Sequence, residues 1–311
     1  MTDFEIDNEI RAFIDRSNQF YEDTPETHEK DLAQIREDYD GMCQNFHQPY
    51  PHGVTSSDSH IDNDGYAIPV RYYHHSHAPG HTAVVYYHGG GFILGGLDSH
   101  DSVCAEICEQ SALTVISIDY RLAPEYKHPI QFEDALRSFQ SLSERFDSLV
   151  LVGDSAGANL AAAVCTATRT SDQKPSGQVL IYPALGGEEL KLASYIERSD
   201  APMLTTADIS FYRSMRCQGA PPIWDPTFNP LMAEEFTGLP PCHAFSADID
   251  PLRDDAKRYA AELKKAGTSA NYTNELGLIH GYLRARHCSE KAKISFQSIC
   301  KAIRDLASTT K

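Results

Sequence analysis

Apolar and polar positions along this chain change period several times, and the changes mark its elements. Near the start Phe4, Ile6, Ile10, Phe13 and Ile14 recur at roughly helical spacing among acids, so residues 1 to about 45 read as helices. Thr27 stands where it could cap a second helical segment running to Gly41. A short Pro/Gly/Ser stretch, Pro49 to Ser59, follows. Tyr66–Tyr73 and Thr82–Tyr87 then read as strands, the second apolar throughout. From there strand and helix alternate. Ala112–Asp119, Ser148–Val152, Gln178–Tyr182, His243–Ala247 and Asn271–Leu276 are the predicted strands. Pro129–Phe146, the Ala-rich Ala156–Arg169, Arg253–Ala266 closed by Gly267, and Ser289–Leu306 are the predicted helices. The stretch 186–224 breaks the rhythm, with one helix near Thr206–Cys217 between Pro-rich turns, and reads as an insertion.

Continuous apolar strands alternating with helices imply an α/β fold whose mostly parallel sheet is covered by helices on both faces. The chain divides accordingly into an N-terminal helical segment (1–45), a first α/β part (46–185), the insertion (186–224) and a second α/β part (225–311). At 311 residues such a chain can bury roughly 75% of its unfolded surface and needs no disulfide or metal to hold its core.

Charge narrows the partners. The formal net charge is -17, which argues against nucleic acid, since phosphate neutralisation needs clustered Lys and Arg. It also opposes adsorption to anionic membranes. Up to Asp64 there are 16 acidic and four basic residues, read here as a solvated helical face. The opening Met-Thr-Asp-Phe-Glu-Ile-Asp is acidic where a signal peptide would be basic. No window approaches the 18 apolar residues of a membrane span. Eight cysteines, none as C-x-x-C, read as reduced thiols, and the expected location is the cytoplasm.

The chemistry concentrates in ordered motifs. Gly153-Asp154-Ser155-Ala156-Gly157 falls between a predicted strand and an Ala-rich helix. A nucleophile elbow needs that placement, because the tight turn lifts the serine oxygen to the helix N-terminus. His88-Gly89-Gly90-Gly91-Phe92 directly follows the apolar strand ending at Tyr87. Its glycines let backbone N–H groups converge, as an oxyanion hole requires. The glycines at 89, 90, 91, 95 and 96 match neither nucleotide-binding spacing.

A serine nucleophile needs a histidine base and a carboxylate, here in the chain order Ser, acid, His. After Ser155 the histidines are His243, His280 and His287. His280 sits in a Gly-flanked loop past the last predicted strand, whereas His243 and His287 begin a strand and a helix and read as structural. Asp248 and Asp250 both follow the preceding strand. Pro251 favours Asp250 by leaving it in the loop, but spacing alone keeps both open. His74, His75, His77 and His81 lie within eight residues; their turn-like surroundings, without Cys or carboxylate, read as a solvated hairpin tip rather than a zinc site.

H-G-G-G-F at 88–92, D-Y-R-L-A-P-E at 119–125, G-D-S-A-G at 153–157, D-P-L-R-D at 250–254 and L-I-H-G at 278–281 occur in this order. Over residues 65 to 305 the chain resembles the hormone-sensitive-lipase-like esterases, also called bacterial family IV. The stretch 88–101 is similar to that of the bacterial acetyl esterases in this group. The resemblance implies an α/β-hydrolase fold with a helical cap made by the N-terminal helices and the 186–224 insertion. It implies Ser155 as nucleophile, Asp250 as acid and His280 as base, with backbone N–H groups of Gly90, Gly91 and Ala156 as oxyanion donors. One departure is Asn229, in D-P-T-F-N-P-L, where the family usually has Ser. The N-terminal 60 residues match no family motif, so the substrate pocket does not transfer.

The expected mechanism is acyl transfer to Ser155 and hydrolysis of the acyl-enzyme, with no metal or organic cofactor. A histidine base acts when neutral, so activity is expected to rise through about pH 6–8. The expected substrate is a short-chain acyl ester. Phe92 is a candidate substrate contact; Phe211, Tyr212 and Met215 could line an acyl pocket or pack as core. Arg121 and Glu125 are expected to hold the loop near the oxyanion glycines. The same triad could serve an amidase, lactonase or lyase, and the fold also serves as a small-molecule receptor when its His is lost. A homodimer is compatible with this reading.

Overall fold

The computed structural model describes residues 5–20, 31–63 and 65–308. Two helices come first, α1 (Asn8–Asn18) and α2 (Leu32–Asn45). Then follow β1 (Val54–Asn63), β2 (Tyr66–His75), β3 (Thr82–Tyr87), α3 (Asp101–Ser111), β4 (Thr114–Ile118) and α4 (Ile130–Ser143). The middle of the chain holds β5 (Ser148–Asp154), α5 (Ala156–Thr168), β6 (Gly177–Ile181), α6 (Ser194–Glu197) and α7 (Thr206–Arg216). It closes with β7 (Cys242–Ile249), α8 (Arg253–Lys265), β8 (Ala270–Ile279) and α9 (Glu290–Ser308).

The strands form one sheet in the order β1-β2-β4-β3-β5-β6-β7-β8. β1 and β2 pair antiparallel, as do β2 and β4, and every later pairing is parallel. Strands β3 to β6 are buried at every position, as a sheet covered on both faces requires. Side chains of a strand alternate between faces. Val84, Tyr86, Val150 and Val152 therefore join one core with α3 and α9, while Ala83, Val85, Leu149 and Leu151 join the other with α4, α5 and α8.

Several expectations change here. The Pro49–Ser59 stretch is in large part β1, an edge strand in which only Val54 and Ile61 are buried. With polar residues on both faces it shows no alternation to read. Helix α3 is almost wholly buried although six of its eleven residues are polar, and the predicted elements do not include it. The proposed cap Thr27 lies outside the described residues. Asp31 caps α2 instead, its carboxylate accepting the Gln34 N–H at 2.8 Å, and the helix continues past Gly41. The histidine-rich link between β2 and β3 is not a hairpin tip, because β4 lies between those strands. Among the described residues no helix is long and apolar enough to cross a membrane.

Candidate active site

Strand β5 runs into α5 through Ser155, whose backbone has φ 53 and ψ -115. A side-chain-bearing residue in this region costs about 1–3 kcal/mol. The turn is held by Ser155 N–H donating to Ile181 O at 2.9 Å, and by Asn159 and Ala184 N–H donating to Ser155 O at 3.2 and 3.3 Å. Gly157 allows the approach of the neighbouring loop: a Cβ there would lie 1.9 Å from Tyr87 O and 2.6 Å from His88 O.

His280 follows β8 and Asp250 follows β7, so parallel pairing brings both loops to the same sheet edge as Ser155. Ser155 Oγ is 3.0 Å from His280 Nε2, and His280 Nδ1 is 2.7 Å from Asp250 Oδ2. A carboxylate accepts only, so Nδ1 carries the proton and Nε2 accepts from the serine hydroxyl. Asp250 is fully buried, and its other oxygen accepts the Leu252 N–H at 2.8 Å. Asp248 lies elsewhere, accepting from Asn274 Nδ2 at 3.0 Å. His243 bonds Asn271 at 3.0 Å, and His287 meets Glu106 at 2.9 Å; neither faces Ser155.

The glycine loop 88–92 adopts positive φ at Gly90 (125), Gly91 (61) and Phe92 (67). Gly90, Gly91 and Ala156 all line the cavity at Ser155. Ala156 opens α5, so helical geometry leaves its N–H without an intrahelical partner. Asp154, the variable residue of G-x-S-x-G, anchors this loop from behind. It accepts the Gly89 N–H at 2.9 Å and the Tyr86 hydroxyl at 2.8 Å, with Tyr182 and His100 both at 3.3 Å. Burial opposes its charge, but His100, Arg284 and Tyr86 outweigh burial and hold the carboxyl below the usual range. Burial and the nearby His100 push His88 down to about 4. His88 is thus a neutral ring, stacked on Tyr120 at 4.3 Å. Nothing in the spacing of the sequence signals this buried assembly beyond the Asp inside the serine motif.

The cavity above Ser155 has a volume of about 170 Å³. Its far walls come from α1 (Phe13), α2 (Tyr39, Met42) and α7. Ile209, Tyr212, Arg213 and Arg216 face it from α7, at the i, i+3, i+4, i+7 spacing of one helix face. Of the four candidate substrate contacts, Phe92 and Tyr212 line the cavity. Phe211 and Met215 sit on the adjacent face of α7, packed with Ile35, Ile93, Leu94 and Ala123, and are not among its lining residues. Arg36 of α2 donates to Ile93 O at 2.9 Å and Ala123 O at 3.0 Å, and pairs with Glu125 at 2.7 Å. Arg121 instead pairs with Asp134 at 2.6 Å. Asn229, at the family's usual Ser, donates to Ile223 O at 2.9 Å and packs its side chain on Gly186. Among the described residues no group of three His, Cys, Asp or Glu side chains is placed to hold a metal, and this includes the 74–81 histidines.

A serine at a strained strand–helix turn, hydrogen-bonded to histidine beneath a glycine loop, is the arrangement of the α/β-hydrolase class, and residues 84–284 match the alpha/beta hydrolase fold family. The chain is 34% identical over 270 residues to the carboxylic ester hydrolase LipN of Mycobacterium tuberculosis, covering 81% of this chain and 70% of LipN. It is 30% identical over 254 residues to an ethyl acetate hydrolase of Pseudomonas putida, covering 77% and 79%. The solved ester-hydrolase EH1AB1 from the Lake Arreo metagenome superposes with a TM-score of 0.89 at 30% identity, covering 96% of this chain and 98% of that one. The chain belongs to the α/β-hydrolase family and, within it, to the carboxylic ester hydrolases.

Proposed function

We propose that this protein hydrolyses short-chain acyl esters through Ser155, His280 and Asp250. The observation that carries this reading is the chain of contacts at 3.0 and 2.7 Å, opening from a strained serine into the cavity. His280 Nε2 takes the hydroxyl proton as Ser155 Oγ attacks the ester carbonyl, and Asp250 holds the imidazolium. The oxyanion is received by the N–H groups of Gly90, Gly91 and Ala156. The tetrahedral adduct collapses as His280 protonates the leaving alkoxide. Water then attacks the acyl-serine by the same route, releasing the acid. Each step is a proton or acyl transfer among these groups.

Chain length follows from volume. A cavity of about 150 Å³ admits benzene, so 170 Å³ suits an acyl chain of a few carbons. In this reading α1, α2 and the 186–224 insertion act as the cap. The eight free cysteines, seven of them buried, support a reducing, cytoplasmic location. Edge strand β8 exposes Leu276 at 70%, which supports a homodimer, tested by the mass in solution.

The test is turnover of p-nitrophenyl esters from acetate to laurate by the protein and by Ser155→Ala. Turnover peaking at short chains and lost in the variant is expected. Equal activity in the variant, or a peak at laurate, would overturn the reading.

A further inference from the structure

Three arginines line the catalytic cavity, and among the described residues Arg213 alone of them is ion-paired. Arg213 pairs with Glu188 at 2.7 Å and also with Glu189. Arg284 donates to the Tyr39 hydroxyl at 2.7 Å and to Cys43 Sγ at 3.2 Å, and feels Asp154. Arg216 is different. It is 3% exposed and, like Arg284, has no carboxylate within ion-pair distance among the described residues, but its donors are less fully used. Its guanidinium donates to Phe228 O at 3.2 Å and, weakly, to Asn159 Oδ1 at 3.4 Å, while Nε has no partner. The rings of Phe92 and Phe228 sit 3.6 and 4.3 Å from its central carbon. Asp225 acts on it at longer range, but that carboxylate already serves Thr227 at 2.8 and 2.7 Å and His128 at 3.3 Å.

Leaving a buried cation without a counter-ion is costly, and aromatic faces return part of that cost. Burial lowers Arg216 to about 9, so it remains charged at neutral pH. Unused donors of a planar fork inside a catalytic cavity match one ligand group best, a carboxylate.

We propose that Arg216 binds the carboxylate of a short ester whose acyl chain ends in that group, a half-ester of a small dicarboxylic acid. The inference rests on the esterase reading and names the substrate class of the same site. The acyl side follows from the reaction. The alcohol must leave where His280 can protonate it, whereas Arg216 is held by Phe92, next to Gly91, and by Asn159, one turn beyond Ser155. With 170 Å³ available, a succinate-sized chain fits the scale of the pocket.

The experiment compares kcat/KM for monoethyl succinate and ethyl levulinate, which carries a methyl ketone in place of the carboxylate. Ethanol release is measured at about 0.15 M salt, where the screening length is ~8 Å and the chain's net charge of -17 matters little. The charged ester is expected to be preferred at least ~10-fold. Arg216→Met should bring the ratio to one or below, and Arg216→Lys, which keeps the charge but loses the fork, should fall between. Circular dichroism checks folding; if Arg216→Met does not fold, the native ratio and Arg216→Lys decide. Equal turnover of both esters by the native protein would overturn the proposal, leaving Arg216 as a brace while the esterase reading stands. Turnover of neither these nor p-nitrophenyl acetate would instead sink the esterase reading. A charge preference seen only with acetoxyacetate, whose carboxylate is on the alcohol, would overturn the acyl-side assignment.

Discussion

Strands β3 to β6 are buried at every residue, whereas α7, across the same cavity, buries Arg216 alone. The first region is held by a ladder of backbone hydrogen bonds and two apolar cores, so a register slip would turn every side chain to the wrong face. The second is held by a few polar ties, Arg213 on Glu188 and Thr205 and Asp208 capping α7 reciprocally, and by the small apolar cluster that takes Phe211 and Met215. The sheet thus fixes where Ser155, His280 and Asp250 meet. The helices above it wall the cavity over them.

The largest effect should come from the sheet side. Asp250→Asn is expected to lower kcat roughly 10⁴-fold with little change in KM for p-nitrophenyl acetate. Steady-state kinetics checks this, and a loss under tenfold would separate Asp250 from the chemistry.

Removing the anchor behind the glycine loop tests the same region through stability. Asp154→Ala leaves the Gly89 N–H and the Tyr86 hydroxyl without acceptors and Arg284 without its buried neighbour, so ~3–5 kcal/mol of destabilisation is expected. Urea unfolding measures it. A change within 1 kcal/mol, or about the size of a single neutral hydrogen bond, would show that the loop stands without Asp154.

Asp255 ties the two regions together. It accepts N–H groups of Leu185 at 2.7 Å and Gly187 at 3.2 Å, where the insertion begins. Burial, against those hydrogen bonds, raises it from 3.8 to about 7. The folded state therefore holds the proton more tightly than the unfolded chain. Stability from this group is full below about pH 4, falls as pH rises, and is gone above about 7. Asp255→Asn cannot titrate but keeps an accepting oxygen. The native protein should lose on the order of 1–3 kcal/mol more than this variant between pH 4 and 8. Parallel unfolding curves across that range would contradict the assignment.

On the cover side the effect is on selection. Tyr212→Ala removes a ring that lines the cavity and would sit 2.6 Å from a Cβ on Gly91. The preferred acyl chain should lengthen by two or more carbons, with activity on acetate falling by roughly threefold to tenfold, the size of a methylene-scale pocket contact. An unchanged chain-length profile would remove Tyr212 from the pocket wall.

The same division explains what could be read from the sequence. Fully buried strands advertise themselves as apolar runs, and the run Thr82–Tyr87 is β3 to the residue. Motif order singled out Ser155, His280 and the glycine loop because tight turns admit few residue types. Choosing Asp250 over Asp248 needed the family, since both aspartates end the same strand and only three-dimensional packing separates them. Edge strand β1 is hard to read because it is polar on both faces, and α3 because it buries Asp101, Ser102 and Glu106, residue types that read as surface. The assembly of Asp154, His100 and Arg284 joins residues 184 positions apart, and local pattern cannot report it. Phe211, Tyr212 and Met215 share a helix, and its turn carries Phe211 and Met215 to a face beside the cavity that Tyr212 lines.

Covalent trapping shows whether Ser155 carries the acyl group. The protein is treated with diethyl p-nitrophenyl phosphate, weighed intact by mass spectrometry and mapped by peptide digestion. One adduct per chain is expected, on Ser155, with loss of ester turnover in step and no adduct on Ser155→Ala. An adduct on any other residue, or retained turnover with Ser155 fully modified, would contradict the account.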